Sequence, residues 1–182
     1  MLVLASQSPR RGEILKQAGI PFVMKAASVD ESVRPGEKAA DYVRRLAEEK
    51  ACAVEGDIVL GADTAVVIDG KILGKPTNQA DAARMLELLS GRRHEVITGI
   101  CFRRGKEVLS DLAVTAVWLA NLSAEEISEY VASGEPMDKA GAYAIQGLAS
   151  KFIERIDGCY ANVVGLPIGL VYRYLRSGLQ PG

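Results

Sequence analysis

The sequence predicts an α/β fold built on a mixed β-sheet, and three observations lead to it. Strand-like and helix-like hydrophobic patterns alternate along the chain, which is the order typical of α/β proteins. Turn signals at Asp69-Gly70, Arg104-Gly105 and Asp157-Gly158 separate strand-like segments and predict hairpins, which require antiparallel neighbours. The 182 residues, 48% of them hydrophobic, suffice for a sizeable core in one domain or in two closely joined lobes.

The N-terminal segment predicts a strand, a polar turn and a helix. Leu2–Ala5 is apolar, Ser8 suits the N-cap, and Pro9 suits the first helical position. The apolar stripe of this helix consists of Ile14, Leu15 and Ala18, and Gly19 ends it. Because a helix N-terminus presents unpaired N–H groups and a positive dipole end, Ser8, Arg10 and Arg11 form a candidate phosphate site. The alternative is that both arginines pair with surface acids.

A second strand, Phe22–Lys25, leads into a polar loop that contains Asp30 and Glu31. Both carboxylates could ligate a metal ion, although acidic loop residues are more often simply solvated. The next helix is expected over about residues 38–54, with apolar side chains at helical spacing. Lys50 falls on the inward stripe of this helix. Such a lysine usually extends its ammonium group to solvent, but here it could reach an anion in a cleft.

The stretch at residues 57–68 predicts a buried strand with an aspartate in its middle. Apolar runs flank Gly61, Ala62 and Asp63 on both sides. Because burying an ionised carboxylate without partners is costly, Asp63 should be paired with cations, bound to a metal ion or exposed at a cleft. The two small residues before it leave room for another group to approach the backbone. The alternative is an aspartate that caps the strand end or closes a turn.

The chain then turns at Asp69-Gly70 and returns to Lys75, which would lie close to the Asp63 segment. His94 is the only histidine, and we assign it no catalytic role because no nucleophile lies near it. The next helix is capped by Asn78 or Thr77 and ended by Ser90-Gly91, and a long ribbon of strands at 95–103 and 106–119 follows it. The capping box Ser123-Ala124-Glu125-Glu126 then opens a helix that Gly134 ends, and a polar glycine-rich loop follows at 135–147. The chain ends with a hairpin of 152–156 with Tyr160–Val164 and a last helix after Gly165-Leu166-Pro167, in which Ile168, Val171, Tyr172 and Leu175 are apolar. Binding groups tend to lie on loops like the one at 135–147.

Composition and motifs exclude several function classes. With 22 basic and 23 acidic side chains, the net charge of -1 provides no global basic field for nucleic acid, so phosphate recognition requires a local cluster. The GxGxxG and GxxxxGK[ST] patterns are both missing, which removes the main support for dinucleotide-binding and P-loop functions. Cys52, Cys101 and Cys159 lie far apart, which argues against a disulfide framework or a zinc site and favours the cytoplasm. We expect neither a signal peptide nor a membrane partner.

Charged residues on separate segments suggest phosphoanhydride hydrolysis if they converge. The candidate groups are the basic residues Arg10, Arg11, Lys50, Lys75 and Lys139 and the acidic residues Asp30, Glu31 and Asp63. Several cations would hold a triphosphate, a divalent ion would bridge phosphate oxygens and the carboxylate, and the carboxylate would orient or deprotonate water. Spacing in the sequence does not establish that these groups converge.

Six motifs, in order from the first strand to the last helix, carry a resemblance to a known family. They are Ser6-Gln7-Ser8-Pro9-Arg10-Arg11, Gly61-Ala62-Asp63-Thr64, Gly74-Lys75-Pro76, Leu89-Ser90-Gly91, Glu135-Pro136-Met137-Asp138-Lys139-Ala140-Gly141-Ala142-Tyr143 with Ile145-Gln146-Gly147, and Val163-Val164-Gly165-Leu166-Pro167. Together they resemble the Maf family, the septum-formation-inhibitor-like nucleotide pyrophosphatases, over essentially the whole chain.

The resemblance implies a fold and a reaction. The fold would be that of the inosine triphosphate pyrophosphatases, with a long curved mixed sheet, helices on both sides and two lobes around a central cleft. Residues 1–182 would form one such domain. The reaction would convert a nucleoside triphosphate and water to the monophosphate and pyrophosphate, with Mg²⁺ or Mn²⁺ as cofactor, as a house-cleaning step in nucleotide metabolism.

The resemblance also implies roles for individual residues. The catalytic acceptor carboxylate would be Asp63. The substrate-binding residues would be Arg10, Thr64 and Gln146 for substrate choice, and Ser8, Arg11, Lys50 and Lys75 for the phosphates. The metal ligands would be Asp63 and Glu31, of which Glu31 is our own hypothesis.

The Gly-Ala-Asp-Thr motif and the ending at residues 162–167 resemble the branch of the family that acts on dTTP and UTP. The branch that acts on 7-methyl-GTP typically has Gly-Ser-Asp-Gln at the first motif. Thr64 and Gln146 can present donors and acceptors to a pyrimidine, and the small Thr64 leaves space for the base. Two alternatives stay open, a nucleotide-binding regulator of septum formation and a 7-methyl-GTP pyrophosphatase. A homodimer through an exposed hairpin or the 95–119 ribbon is a further open expectation.

Overall fold

The computed structural model describes residues 1–179 and contains an α/β fold with a seven-stranded mixed sheet. Its strands are β1 (Leu2–Ala5), β2 (Phe22–Lys25), β3 (Ile58–Ile68), β4 (Lys71–Leu73), β5 (Arg93–Arg104), β6 (Glu107–Leu119) and β7 (Ile153–Asp157). Its helices are α1 (Pro9–Gln17), α2 (Ala39–Cys52), α3 (Gln79–Leu89), α4 (Ala124–Ala132), α5 (Tyr160–Val164) and α6 (Ile168–Arg176). Within residues 1–179, every helix falls short of the length and apolarity that a membrane span needs.

The strand order in the sheet is β2-β1-β3-β5-β6-β7, and β4 pairs with β3. Strand β1 runs parallel to β2 and β3, whereas the β3–β4 and β6–β7 pairs are antiparallel. This arrangement confirms the predicted mixed sheet. The parallel pairs bring the carboxyl end of β1, where the chain enters α1, beside the middle of β3 through the Ala5–Gly61 pair.

The chain divides into two compact units. Unit 1 comprises Met1–Thr64, Ile97–Ala113 and Ala161–Gly182, and unit 2 comprises Ala65–Val96 and Val114–Tyr160. Each unit has its own fully buried leucines, among them Leu4, Leu15 and Leu46 in unit 1 and Leu86 and Leu89 in unit 2. A single domain with two lobes around one cleft, and a homodimer, stay predictions.

In unit 1, helix α2 packs directly against two strands because glycines leave no side chains between them. A Cβ atom on Gly61 of β3 would stand 2.0 Å from the carbonyl oxygen of Ala47, and one on Gly99 of β5 would stand 2.4 Å from that of Val43. The room that the sequence predicted beside Gly61 is therefore filled by the helix backbone. Because Lys50 lies about one turn after Ala47, this packing fixes its side chain beside the middle of β3.

Short-range signals in unit 2 are confirmed. Asp69 and Gly70 have φ angles of 51° and 72°, as the tight turn between β3 and β4 requires. Asn78 caps α3 by accepting a hydrogen bond from a backbone N–H, and the capping box of Ser123 and Glu126 opens α4. Each feature depends on contacts within a few residues, which is why the sequence predicts them.

The structure corrects the last predicted hairpin. Tyr160–Val164 is helix α5 rather than a strand, and the N–H groups of Gly165 and Leu166 bond to the carbonyl oxygen of Ala161 at 3.0 Å. A short apolar run does not distinguish a strand from a helical turn by its periodicity. Strand β7 instead pairs with β6. Within residues 1–179, two of the three predicted hairpins are therefore present, β3–β4 and β5–β6.

Two predicted apolar stripes are each wrong at one position. In α1, Ile14 and Leu15 are buried but Ala18 is exposed, because it already forms the C-cap of the helix. In α6, Val171 is buried but Tyr172 is 55% exposed, and Tyr174 is buried in its place. Tyr172, one residue after Val171, lies about 100° around the helix from it, whereas Tyr174, three residues after it, lies only about 60° away and so shares its buried face.

His94 in unit 2 is buried to 1% exposure, and its Nε2 atom lies 2.6 Å from the Tyr143 hydroxyl oxygen. Burial lowers the pKa of His94 from 6.5 to about 4. Between pH 6.5 and about pH 4, His94 therefore takes up a proton in the unfolded chain but stays neutral in the folded chain. We expect the free energy of unfolding to fall by about 3 kcal/mol through His94 as the pH falls from 6.5 to about 4.

The measurement for His94 is urea unfolding of the wild type and of His94→Gln at neutral pH and at about pH 4. The free energy of unfolding should fall less with pH in the variant, since glutamine does not titrate. Equal falls in both proteins would show that His94 does not contribute to acid sensitivity.

Candidate active site

Asp63 lies in the middle of β3 and is 7% exposed. Its Oδ1 atom accepts a hydrogen bond from Lys50 Nζ at 2.7 Å. Burial raises the pKa of Asp63, while the positive charges of Lys50 and Arg11 oppose the rise and the Glu31 charge adds to it. The carboxylate is therefore a stronger base than an ordinary aspartate, with cations beside it that favour the ionised form. This confirms the prediction of a buried, cation-paired aspartate.

Lys50 joins two carboxylates. Its Nζ atom lies 2.7 Å from Asp63 Oδ1 and 2.7 Å from Glu31 Oε1, so the two oxygens are no more than twice that distance apart. The Lys50 side chain is 8% exposed, whereas the Glu31 side chain, on the loop between β2 and α2, is 52% exposed. The site thus has a buried carboxylate, a buried ammonium group and a second carboxylate that is open to solvent.

Arg11 is fixed by three hydrogen bonds of its guanidinium group. Its Nε donates to the Gly165 carbonyl oxygen at 2.8 Å, its Nη1 to Ser6 Oγ at 3.3 Å, and its Nη2 to Thr64 Oγ1 at 3.0 Å. Burial lowers the pKa of Arg11 and the nearby Asp63 charge opposes this, but a guanidinium group stays charged in proteins. Because these bonds use three of the five N–H groups, two remain for an anion.

Thr64 connects Arg11 to buried groups of unit 1. Its Oγ1 atom accepts from Arg11, lies 2.9 Å from Thr98 Oγ1 and donates to the Gly165 carbonyl oxygen at 3.3 Å. Thr98 is fully buried and donates to the Asn162 carbonyl oxygen at 3.3 Å. The Thr64 hydroxyl, which the sequence suggested for a pyrimidine edge, is thus already bonded within the protein.

The start of helix α1 has the predicted form with one difference. Ser8 is the N-cap and Pro9 follows it, but the Ser8 side chain makes no capping bond. Instead the Ser8 N–H donates to Ser6 Oγ at 3.1 Å, which also accepts from Arg11. Ser8 and Arg10 are both half-buried at this helix start. The N-terminal N–H groups of α1 and the arginines therefore occupy one region of unit 1, as expected for an anion site.

The other predicted substrate residues belong to unit 2. Lys75 and Gln146 are exposed, and Lys75 follows β4 two residues after the Val66–Leu73 pair. Their roles stay predictions.

The second basic candidate of unit 2 is Lys139, which is bound within its own loop. Its Nζ atom contacts the adjacent Asp138 carboxylate and donates to the Glu135 carbonyl oxygen at 3.4 Å. The Lys139 side chain is 14% exposed. A phosphate would therefore have to compete with Asp138 for this ammonium group.

Asp63 and Glu31 are the residues that could hold a divalent cation. Their carboxylates already converge on one cationic nitrogen, and Mg²⁺ is commonly bound by one or two carboxylates together with substrate phosphates and water. Among residues 1–179, no three His, Cys, Asp or Glu side chains form a metal cage. The donor set thus fits an ion shared with a phosphate substrate. Asp30 is a poorer candidate because its Oδ1 accepts from the Ser32 N–H at 3.0 Å.

Sequence reasoning missed three groups of this site. They are the Ser6 hydroxyl, the Thr98 hydroxyl and the carbonyl oxygen of Gly165. Ser6 lies inside the first motif, so its position gave a signal. Gly165 lies inside the sixth motif, although nothing marks its carbonyl oxygen as a partner of Arg11, and Thr98 gave no signal because its strand shows only a core pattern.

Comparison with known proteins gives four findings. Residues 1–178 match the family model described as Maf-like protein. The dTTP/UTP pyrophosphatase of Anaeromyxobacter sp. (strain Fw109-5) is 55% identical over 185 residues, covering 99% of this chain and 90% of the relative. The dTTP/UTP pyrophosphatase of Geobacter metallireducens is 53% identical over 182 residues, covering 97% and 95%. The solved structure of the Staphylococcus aureus Ham1 protein has a TM-score of 0.54 at 14% identity over 97% of this chain and 98% of that chain, a similarity of fold.

Proposed function

This chain belongs to the Maf family, and from that premise we propose that it is a nucleoside triphosphate pyrophosphatase that hydrolyses dTTP and UTP. The products are the nucleoside monophosphate and pyrophosphate, and the enzyme acts on the cytoplasmic nucleotide pool. Relatives named for these substrates match almost the whole chain. The structural observation that carries the proposal is the buried Asp63 carboxylate, whose raised pKa and two cationic neighbours suit a base beside a phosphate chain.

Asp63 orients the attacking water and accepts its proton. Burial raises the pKa of its carboxyl group, which strengthens it as a base. Lys50 and Arg11 favour the ionised form that a base requires. The rigid packing of α2 on Gly61 holds Lys50 against Asp63, so the carboxylate keeps one orientation as the substrate binds.

The start of α1 and the side chain of Arg11 bind the phosphates. The N–H groups at the helix N-terminus and the positive dipole end attract an anion. Arg11 is held by Gly165, Ser6 and Thr64 and offers its two remaining N–H groups to phosphate oxygens. Because the guanidinium is fixed before the substrate arrives, it stabilises the charge that develops at phosphorus without reorganising.

Asp63 and Glu31 would hold the divalent cation, Mg²⁺ or Mn²⁺. When bound, the ion neutralises phosphate charge and polarises the phosphoryl group that reacts. Lys50 lies between the same two carboxylates and limits their mutual repulsion. The exposed position of Glu31 leaves its carboxylate accessible to an ion that arrives with the nucleotide.

We assign the selection of the nucleobase to Arg10, Thr64 and Gln146, and the binding of the phosphates also to Lys75. Thr64 acts through its small size and by holding Arg11, since its hydroxyl is bonded to protein groups. Gln146 is exposed, and its amide can donate to and accept from a uracil or thymine edge.

A substrate panel tests the proposed function. Pyrophosphate release should be fastest with dTTP and UTP and slow with CTP, ATP and 7-methyl-GTP. A preference for 7-methyl-GTP would favour the other branch of the family. Nucleotide binding without turnover on any member of the panel would favour a regulator of septum formation.

Removing the metal ion is expected to abolish turnover without unfolding the protein. Excess EDTA should stop pyrophosphate release, and added Mg²⁺ or Mn²⁺ should restore it. The thermal unfolding midpoint should not change, since residues 1–179 contain no structural metal cage. Full activity in EDTA would rule out a metal ion in the reaction.

A further inference from the structure

We infer that Arg45 is a positioning residue that sets the affinity of the site for its divalent cation by holding the acidic loop, residues 30–37, in place. The inference rests on the proposed role of Glu31 as a metal ligand. Arg45 lies on α2 and contacts neither Asp63 nor Lys50 in any described bond, so it would act only through the loop.

Arg45 joins the acidic loop to α2 through a two-pronged ion pair. Its Nε lies 2.6 Å from Glu37 Oε1 and its Nη2 lies 2.8 Å from Glu37 Oε2. The two side chains are 14% and 9% exposed, so the pair is largely shielded from water. The hydrogen bond from Arg45 lowers the pKa of Glu37 to about 2, which keeps that carboxylate ionised. Such a bidentate pair, or fork, fixes the orientation of the two side chains as well as the distance between them.

Arg45 also fixes the loop backbone next to Glu31. Its Nη2 donates to the Ser32 carbonyl oxygen at 3.0 Å, and the neighbouring Tyr42 hydroxyl donates to the Glu31 carbonyl oxygen at 2.8 Å. Two side chains of α2 thus hold two consecutive carbonyl groups of the loop.

Glu37 also holds the backbone in the middle of the loop, because its Oε2 accepts a hydrogen bond from the Arg34 N–H at 2.9 Å. The acidic loop contains no helix or strand, and the Glu31 side chain is half-exposed. A carboxylate on an unrestrained loop would spend much of its time away from Lys50 and Asp63. The contacts of Arg45 and Tyr42 remove that freedom before a cation binds, which favours binding.

The test measures Mn²⁺ binding by titration calorimetry, with a non-hydrolysable UTP analogue present, in Arg45→Met and Tyr42→Phe. We expect the Mn²⁺ dissociation constant to rise about 10- to 100-fold in Arg45→Met and by less in Tyr42→Phe. Turnover at saturating Mn²⁺ should stay near the wild-type value, since neither residue touches the substrate. Arg45→Lys keeps the charge but loses the fork, and should fall between the wild type and Arg45→Met.

Two controls separate the outcomes. Arg84→Met removes an exposed arginine that pairs with Asp81 in unit 2, and should leave Mn²⁺ affinity unchanged. Glu31→Gln should weaken Mn²⁺ binding directly. Wild-type affinity in Glu31→Gln would refute the metal role of Glu31 and this inference with it.

If Glu31→Gln binds Mn²⁺ weakly while Arg45→Met and Tyr42→Phe bind it normally, only the positioning role is refuted. Should Arg45→Met fail to fold, Arg45→Lys decides the question, because it keeps the charge but loses the paired contacts with Glu37. Normal Mn²⁺ affinity in that variant would then overturn the inference.

Discussion

Replacing Asp63 by Asn is expected to lower kcat for dTTP and UTP by roughly 10²- to 10⁴-fold, because asparagine keeps the shape of the side chain but cannot accept a proton from water. The fold should persist. Lys50 keeps its contact with Glu31, and the variant removes a buried charge whose desolvation is unfavourable. The measurement is pyrophosphate release at saturating metal ion, with the affinity for a non-hydrolysable UTP analogue measured separately and expected to stay close to that of the wild type.

Asp57→Asn is the matched control for this substitution. Asp57 is an exposed aspartate just before β3, so the same chemical change should leave kcat unaltered. Near-normal turnover in Asp63→Asn would show that another group activates the water. Loss of nucleotide affinity together with turnover would instead indicate that Asp63 acts mainly in binding.

Replacing Arg11 by Ala is expected to cost about 2 to 4 kcal/mol of transition-state stabilisation, because a preorganised cation is removed from the developing phosphate charge. This corresponds to a loss of roughly 30- to 1000-fold in kcat/KM. Arg11→Lys should recover only part of it. An ammonium group keeps the charge but cannot contact Gly165, Ser6 and Thr64 from one plane while facing the substrate.

Arg103→Ala is the control for Arg11. Arg103 also belongs to unit 1 and also donates to backbone carbonyl oxygens, those of Ala51 at 3.0 Å and Val54 at 2.7 Å. If kcat/KM falls equally in both variants, lost anchoring of the fold explains the effect. Wild-type kcat/KM in Arg11→Ala would remove Arg11 from the site.

The parts of the fold that the sequence predicts are those that depend on near neighbours in the chain. The α1 start at Ser8 and Pro9, the Asp69-Gly70 turn and the Ser123 capping box each involve residues a few positions apart. The inward position of Lys50 follows in the same way, because three or four residues make one helical turn. A buried aspartate in a strand then requires a cation, and this cation is Lys50.

The parts that the sequence does not predict depend on distant residues. Arg11 and Gly165 are 154 positions apart, and their bond uses a backbone carbonyl group, which every residue has. Helix α5 was predicted as a strand because five residues are too few to show a period. Gly61 signalled a close approach, but the sequence did not show that α2 makes it. The roles of Lys75 and Gln146 rest on the family resemblance and stay predictions.

The central claim is that Asp63 directs water onto the α-phosphorus of the nucleotide. Hydrolysis of UTP in ¹⁸O-enriched water, followed by mass spectrometry of both products, tests it directly. Attack at the α-phosphorus places one ¹⁸O atom in UMP and none in pyrophosphate. Label in pyrophosphate, or the release of UDP and inorganic phosphate, would contradict the account.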